Sequence, residues 1–440
     1  MENINKKVQK SIPSSRVQRV SRFVKVGAKV STNYIKHYAK TVVDADYKGK
    51  EELHKENAAD VYDALSELKG SALKVAQMMS MDKNMLPQAY TDKFQMSQYS
   101  APPLSLPLVN KTFMKAFGKA PYQIFDEFSK EAVNAASIGQ VHLAVKDGQK
   151  YAVKVQYPGV AESVSSDLKM VKPIAVRMMG LNEQDVEHYM EEVENMLLSE
   201  TDYNLELKRS QEITSACKDI KNVTFPNYYP DLSSKKILTM DWLDGMHLPD
   251  FLETNPSQEI RNKVGQALWD FYDHQIHTLK EVHADPHPGN FIINKEGLLG
   301  IIDFGCVKEI PSPFYENYFD LMVPENLNND EKRKQVFSNM RFIYDTDTEE
   351  DKNKLDALFS SMIEILSRPF HSSPFDFSQE SYFNEITAIA DNQDNQNLMK
   401  SSKKPRGQRD GLYLNRTYFG LYSILHQLEA TIETKSVYFS

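Results

Sequence analysis

The chain has 440 residues, of which 41% are hydrophobic and 26% charged, with a formal net charge of -9; this is more than one compact domain and the composition of a soluble globular protein with a sizeable core. No uninterrupted apolar run approaches the ~20 residues needed to span a bilayer, and the N-terminus lacks the apolar stretch of a secretory signal, so a cytosolic protein is predicted. The two cysteines, Cys217 and Cys306, exclude a disulfide framework, lack metal-ligand spacing and suit a reducing compartment.

The negative total conceals an asymmetry. Residues 1 to 43 hold ten Lys or Arg and one acid, a local charge of +9, which leaves -18 for the remainder. From Arg16 to Tyr38 a helical register is expected, with Val20, Phe23, Gly27, Val30 and Tyr34 at three- and four-residue steps and basic residues interspersed. Such a helix suits an anionic membrane surface, where each nearby cation contributes on the order of 1 kcal/mol, or docks by charge on the acidic body. Nucleic acid is not expected as a partner, because the rest of the chain is acidic and no recognised binding module is present.

A second helical pattern covers residues 51 to 82, with Val61, Leu65, Leu68, Val75 and Met79 at helical intervals. Pro87, Pro102, Pro103 and Pro107 then punctuate a linker, and Lys111 to Phe117 reads as a short helix before a boundary near residue 118. Beyond it the period changes to two. Gln140 to Val145 and Tyr151 to Gln156 alternate as a hairpin with a turn at Lys146 to Gln149, placing Lys154 on a strand. Just upstream, Asn134 to Gly139 is expected to be a loop with a single glycine. Asp185 to Lys208 is acidic and helical and carries Glu200, Asp202 and Glu206. Residues 200 and 202 lie about 200° apart on a regular helix, so either the helix bends or begins near Thr201, or one of these acids is merely solvated. Lys235 to Met240 is a strand, and Trp242 to Gly245 reads as a turn joining two lobes, with Asp241 and Leu243 as candidate nucleotide contacts.

The second half is mainly helical. Ile260 to Leu279 is expected as one long helix feeding His283-Ala284-Asp285-Pro286-His287-Pro288-Gly289-Asn290. Two short strands follow, Phe291 to Asn294 and Leu298 to Ile302, with a turn at Lys295 to Gly297, and then Asp303-Phe304-Gly305. Further helices are expected over Glu331 to Tyr344, Lys352 to Ile365 and Leu412 to Ile432, with loops at Asp345 to Asp351 and Asp391 to Gln408.

The pairing of H-x-D-x-x-x-x-N with D-F-G carries the chemistry. ATP with magnesium needs hard oxygen ligands from two directions and a carboxylate aimed at the acceptor. Asn290 and Asp303 would be the magnesium ligands, Asp285 would face the attacking hydroxyl or water, and Lys154 would contact the phosphates. The single glycine in the 134 to 139 loop implies a stiffer turn than the G-x-G-x-x-G of ordinary protein kinases, which argues against that class.

Together these pieces resemble the UbiB, or aarF-domain, family of atypical kinases over nearly the whole chain. The resemblance also rests on Ala135-Ala136-Ser137-Ile138-Gly139-Gln140-Val141-His142, on Val153 to Gly159, on Leu68 to Gln77 as a K-x-G-Q helix, and on Glu200-Thr201-Asp202-Tyr203 as an E-x-D motif. Two departures are evident: Ala76 replaces the motif's glycine, and Asn134 replaces the first alanine of the A-A-A-S loop. The resemblance implies an α+β, bilobal protein-kinase-like fold. It divides the chain into an N-terminal helical extension over the active site (1 to 117), a small β-containing N-lobe (118 to 245) and a mainly helical C-lobe (246 to 440). It further implies that Ala135, Ala136, Ser137, Ile138 and Gly139 line the nucleotide, that Glu206 holds Lys154, and that Lys74 and Gln77 enter the site near Glu200 and Asp202 as gating residues.

What the resemblance implies in function is an atypical kinase or ATPase that uses ATP and Mg2+ and supports isoprenoid quinone lipid biosynthesis, with an isoprenoid lipid or quinone precursor as partner; peripheral attachment to membrane is the expectation from the basic residues 1 to 43. A small-molecule phosphotransferase shares the H-x-D-x-x-x-x-N loop, but the Lys74 helix and the Ala135 loop speak against it. A nucleotide-responsive lipid-binding scaffold without turnover is the third reading.

Overall fold

The computed structural model describes residues 50–68, 104–135, 138–179, 183–402, 406–436 and 438–439, with isolated positions at 21, 25, 29, 32, 33 and 74. The chain forms two compact units, residues 1–208 with 227–242, and residues 209–226 with 243–440. Among the described residues no helix is long and apolar enough to cross a membrane.

The first unit is built on a five-stranded antiparallel sheet in which Glu127–Phe128, Gly139–Lys146, Gln149–Gln156 and Ile237–Asp241 lie in that order, with Asn134–Ala135 also paired to Gly139–Lys146. The expected hairpin is present. Its turn holds Asp147 at φ 51° and Gly148 at φ 77°, the positive dihedrals that a two-residue hairpin turn requires. Strand alternation sends Val153 and Val155 to one face, where they join Val109, Phe113, Phe125, Ala144, Tyr151 and Ile237 in the core. A fully buried apolar side chain contributes about 1.5–3 kcal/mol, so this face fixes the register, and a one-residue slip would expose the whole set.

The helix expected from Lys111 starts earlier, at Leu106, and runs to Phe117. Pro107 lies in its first turn, where a missing N–H costs nothing, so this proline opens the helix instead of punctuating a linker. Asn134 and Ala135 pair with Val141 and Gln140, which corrects part of the expected loop to strand; Ala136 and Ser137 lie outside the described residues. The helix Lys50–Leu68 matches the start of the 51 to 82 pattern, buries Leu53, Ala58, Val61 and Leu65, and the remainder, apart from helical Lys74, lies outside the described residues. Most of the Arg16 to Tyr38 segment does so too. Its described positions are helical; Lys29 pairs with Asp60, and the Asn33 amide donates to Asn57 at 3.0 Å. A helix unforeseen in the sequence, Val160–Met179, follows the hairpin.

The second unit is mainly helical. The helix Gln258–Asp273 passes into a wider π-type turn, His274–Leu279, and stops at Lys280, whose φ is 55°. The expected continuous helix is therefore corrected in its last six residues. Strand Glu281–His283 pairs with Val307–Glu309, while Phe291–Ile293 pairs with Leu299–Ile301 as expected, and Val223–Thr224 runs parallel to Leu299–Gly300. Two further corrections concern the C-terminal part. The polar stretch after Asp391 contains a helix, Gln393–Ser401, capped by the Asn392 side chain, and the last long helix ends at Gln427, after which Thr431–Ile432 is a strand paired with Phe375–Asp376.

Candidate nucleotide and phosphoryl-transfer site

In the first unit, Lys154 stands on the strand face opposite Val153 and Val155 and is only 9% exposed. A solvent-facing lysine on an alternating strand is thereby excluded. Its ammonium donates to Glu206 at 2.8 Å and lies 5.1 Å from the centre of the Tyr203 ring. Glu206 faces inward because the acidic segment is two helices, Glu183–Glu200 and Tyr203–Ala216. The break is pinned from the sheet: the Gln156 amide donates to the Thr201 carbonyl at 2.8 Å, and the Tyr203 N–H donates to the Lys235 carbonyl at 3.2 Å. Of the two alternatives left by the spacing, a bend near Thr201 is the one realised.

That break sorts the three acids. Glu200 is buried and lies 3.2 Å from the Lys74 ammonium. Asp202 sits at the helix start, accepts from the Asn204 N–H at 3.1 Å, and is 3.5 Å from exposed Lys235. Among the described residues Lys74 thus meets Glu200; Gln77 lies outside them. Ile138 is buried, and Gly139 leaves no room for a side chain, since a Cβ there would come within 2.7 Å of the Tyr203 hydroxyl and 2.9 Å of the Val155 carbonyl. Asp241 ends the Ile237–Asp241 strand with its carboxylate accepting from the Gln149 amide, the Tyr229 hydroxyl and the Asn227 amide. A contact from Asp241 to a nucleotide would therefore fall to its backbone.

In the second unit, the octet leaves one two-stranded ladder and enters the hairpin. The Ala284 N–H donates to the Cys306 carbonyl, and the Ile302 N–H donates to the Asn290 carbonyl at 3.1 Å, so Asp303 directly follows the residue paired across from Asn290. Within the octet the Asn290 amide nitrogen donates to the Asp285 carbonyl at 2.8 Å, and the His287 ring accepts from the Gly289 N–H at 2.9 Å. The first bond orients the Asn290 carboxamide with its oxygen turned away from that carbonyl. Asp303 accepts from the Gly305 N–H at 2.8 Å. Phe304 is fully buried against Phe225, Phe271 and His283, which anchors the D-F-G segment. Leu243 lies against Gly300, whose missing Cβ would fall 2.7 Å from a Leu243 methyl.

The sequence reasoning missed Arg416. It lies on the helix Arg409–Gln427 and donates to the Asp285 carboxylate at 2.8 Å; a separation of 131 residues gives no local signal. It also missed Tyr203, whose position after E-x-D was visible but whose aromatic ring had no assigned partner.

A carboxylate and a carboxamide oxygen are the hard donors that suit Mg2+, which typically takes one or two protein ligands and completes its shell with substrate phosphates and water. Asn290 and Asp303 fit that requirement.

Comparison with known proteins places this geometry in context. The family description "ABC1 atypical kinase-like domain" matches residues 96–337. "Probable serine/threonine-protein kinase abkA" of Dictyostelium discoideum is 26% identical over 457 residues, covering 97% of this chain and 79% of that protein. "Atypical kinase COQ8, mitochondrial" of Saccharomyces cerevisiae is 26% identical over 441 residues, covering 97% of this chain and 85% of the relative. Other relatives are much longer: the chain spans 42% of a chloroplastic aarF domain-containing protein kinase of Arabidopsis thaliana that is 28% identical over 297 residues. Among solved structures, the complex of Rv3197 with erythromycin from Mycobacterium tuberculosis shares the fold, with a TM-score of 0.59 and 24% identity over 88% of this chain and 95% of that one. The matched domain takes in more than half of the sequence, and with the bilobal α+β kinase-like fold it establishes that this chain belongs to the ABC1 atypical kinase-like family, the UbiB or aarF-domain group whose motifs it carries.

Proposed function

We propose that this protein binds Mg-ATP and acts as an atypical kinase-like ATPase that supports the biosynthesis or handling of an isoprenoid quinone lipid at a membrane surface. The observation that carries the nucleotide reading is the buried Lys154–Glu206 pair at 2.8 Å, the arrangement by which kinase-like enzymes hold a lysine ready for nucleotide phosphates. In this reading Lys154 binds the phosphates and Glu206 holds it in place. Asn290 and Asp303 hold magnesium, which when bound supplies positive charge to the phosphate oxygens. Asp285 orients the acceptor hydroxyl or water. Residues 135 to 139 line the phosphates, and Lys74 and Gln77, with Glu200 and Asp202, govern access.

The lipid part of the reading is supported by the family resemblance and by the basic, apolar repeat of residues 16 to 38. Lys25 and Lys29, four residues apart and so on one helical face, are both exposed, and Lys29 also pairs with Asp60.

The test is nucleotide turnover by the purified protein with and without anionic vesicles and an isoprenoid phenol, alongside thermal stabilisation by ATP. At about 100-fold excess over Kd, binding to the native state should contribute about 2.7 kcal/mol. Asp303→Asn should abolish the magnesium-dependent part of that stabilisation. Stabilisation unchanged in the variant would overturn the metal assignment, and saturable binding without phosphate release under every condition would leave a nucleotide-responsive scaffold in place of an enzyme.

A further inference from the structure

We infer that Arg416 is a positioning residue for Asp285, supplied to the phosphoryl-transfer loop by the last long helix; this rests on the nucleotide reading above. The octet itself contains no Lys or Arg, and Ala284 stands beside Asp285 where the H-R-D loop of protein kinases carries an arginine. Here the guanidinium arrives from another element. Its Nη2 donates to Asp285 Oδ1 at 2.8 Å, and both side chains are 16% exposed, so solvent screens the pair far less than it would a surface contact.

The helix that carries Arg416 is registered on the octet at successive points of one face. Thr417 lies 3.5 Å from the His283 carbonyl. Gly420, one turn beyond Arg416, sits so close to Pro286 that a Cβ there would fall 2.2 Å from the ring. Buried Leu414, Leu421, Tyr422 and Leu425 hold the helix to the core. A rigid element therefore delivers the guanidinium, whose single Nη2 contact to Oδ1 holds the Asp285 carboxylate from a preorganised direction that the more flexible ammonium of a lysine would reproduce only in part. Misplacement of a reacting group by about 1 Å is enough to cost roughly 100-fold in rate, which makes this pairing a determinant of turnover and not of nucleotide affinity.

The experiment compares wild type, Arg416→Gln and Arg416→Lys for ATP turnover and for Mg-ATP affinity. It adds a double-mutant cycle with Asp285→Asn, read as thermal stability of the nucleotide-free protein. We expect Arg416→Gln to lower kcat by about tenfold or more with Kd for Mg-ATP within about twofold, Arg416→Lys to recover part of the loss, and the two substitutions to be non-additive in stability. Wild-type kcat in a folded Arg416→Gln protein, or strict additivity in the cycle, would overturn the inference while leaving the nucleotide reading intact. Loss of Mg-ATP affinity in parallel with kcat would also overturn it. A wild-type protein that neither binds nor turns over Mg-ATP would refute the underlying reading and this inference together.

Discussion

Lys154 and Glu206, 52 residues apart in the chain, form an ion pair at 2.8 Å in which the side chains are 11% and 1% exposed. Such a pair costs desolvation on both sides, and much of its consequence appears when one member is lost. Removing a single partner from a buried pair costs about 3–5 kcal/mol, whereas replacing both with apolar groups of similar size is often neutral. Glu206→Gln should therefore lower unfolding free energy by about 3 kcal/mol, measured by chemical denaturation. The double substitution Lys154→Met with Glu206→Leu should recover most of that stability yet show no thermal shift with Mg-ATP. A stable double variant that still binds nucleotide would remove Lys154 from the site.

The last long helix provides a paired test of close packing. Gly420 lies against Pro286, where an added Cβ would come within 2.2 Å of the ring, whereas the nearest atom to a Cβ at Gly411 is a Phe314 carbon at 3.8 Å. Both positions are helical and both would gain helix propensity from alanine, by up to about 1 kcal/mol. At Gly420 that gain is offset by overpacking of a rigid ring, which typically costs about 1–3 kcal/mol. Gly411→Ala should be neutral or stabilising by a few tenths of a kcal/mol, because it lies in the first turn, and Gly420→Ala should destabilise and slow turnover by displacing the octet. Equal melting temperatures for the two variants would contradict the observed approach of helix and loop.

How far the fold was readable follows from where the information lies. The two hairpins were legible because strand-like runs interrupted by turn residues, Lys146 to Gln149 in one and Lys295 to Gly297 in the other, are a local signal, and the octet and D-F-G segments flank the second of them. The bend at Thr201 was constrained but not decided by spacing, since what breaks the helix is the Gln156 side chain and the Lys235 carbonyl from the sheet. Gln393–Ser401 was hidden because it is polar nearly throughout and depends on a side-chain cap from Asn392. Thr431–Ile432 continued an apolar pattern that two strand residues are too short to interrupt. Arg416 was beyond reach, because a helix 131 residues downstream announces nothing about the carboxylate it meets.

Burial of His277 makes the second unit sensitive to acid. Its pKa is pushed down to about 3 from an ordinary 6.5, first by burial and then by the charge of Lys280. Its Nδ1 is 2.7 Å from the Tyr315 hydroxyl; the Asp273 carboxylate, 3.6 Å from Nε2, does not offset the burial, and the Tyr438 ring covers another side. In the folded protein the ring stays neutral down to about pH 3, while in the unfolded chain it takes up a proton below about 6.5. Its contribution to stability is thus fully present above pH 6.5 and declines as the pH falls from there toward 3, by up to about 1.4 kcal/mol per pH unit. His277→Gln keeps a group able to bond Tyr315 but cannot titrate. Between pH 7 and pH 5 wild type should therefore lose about 2 kcal/mol more than the variant. Urea unfolding read by the fluorescence of Trp269, itself buried in the helix Gln258–Asp273, measures that difference, and parallel pH dependences for the two proteins would show that His277 is not held neutral.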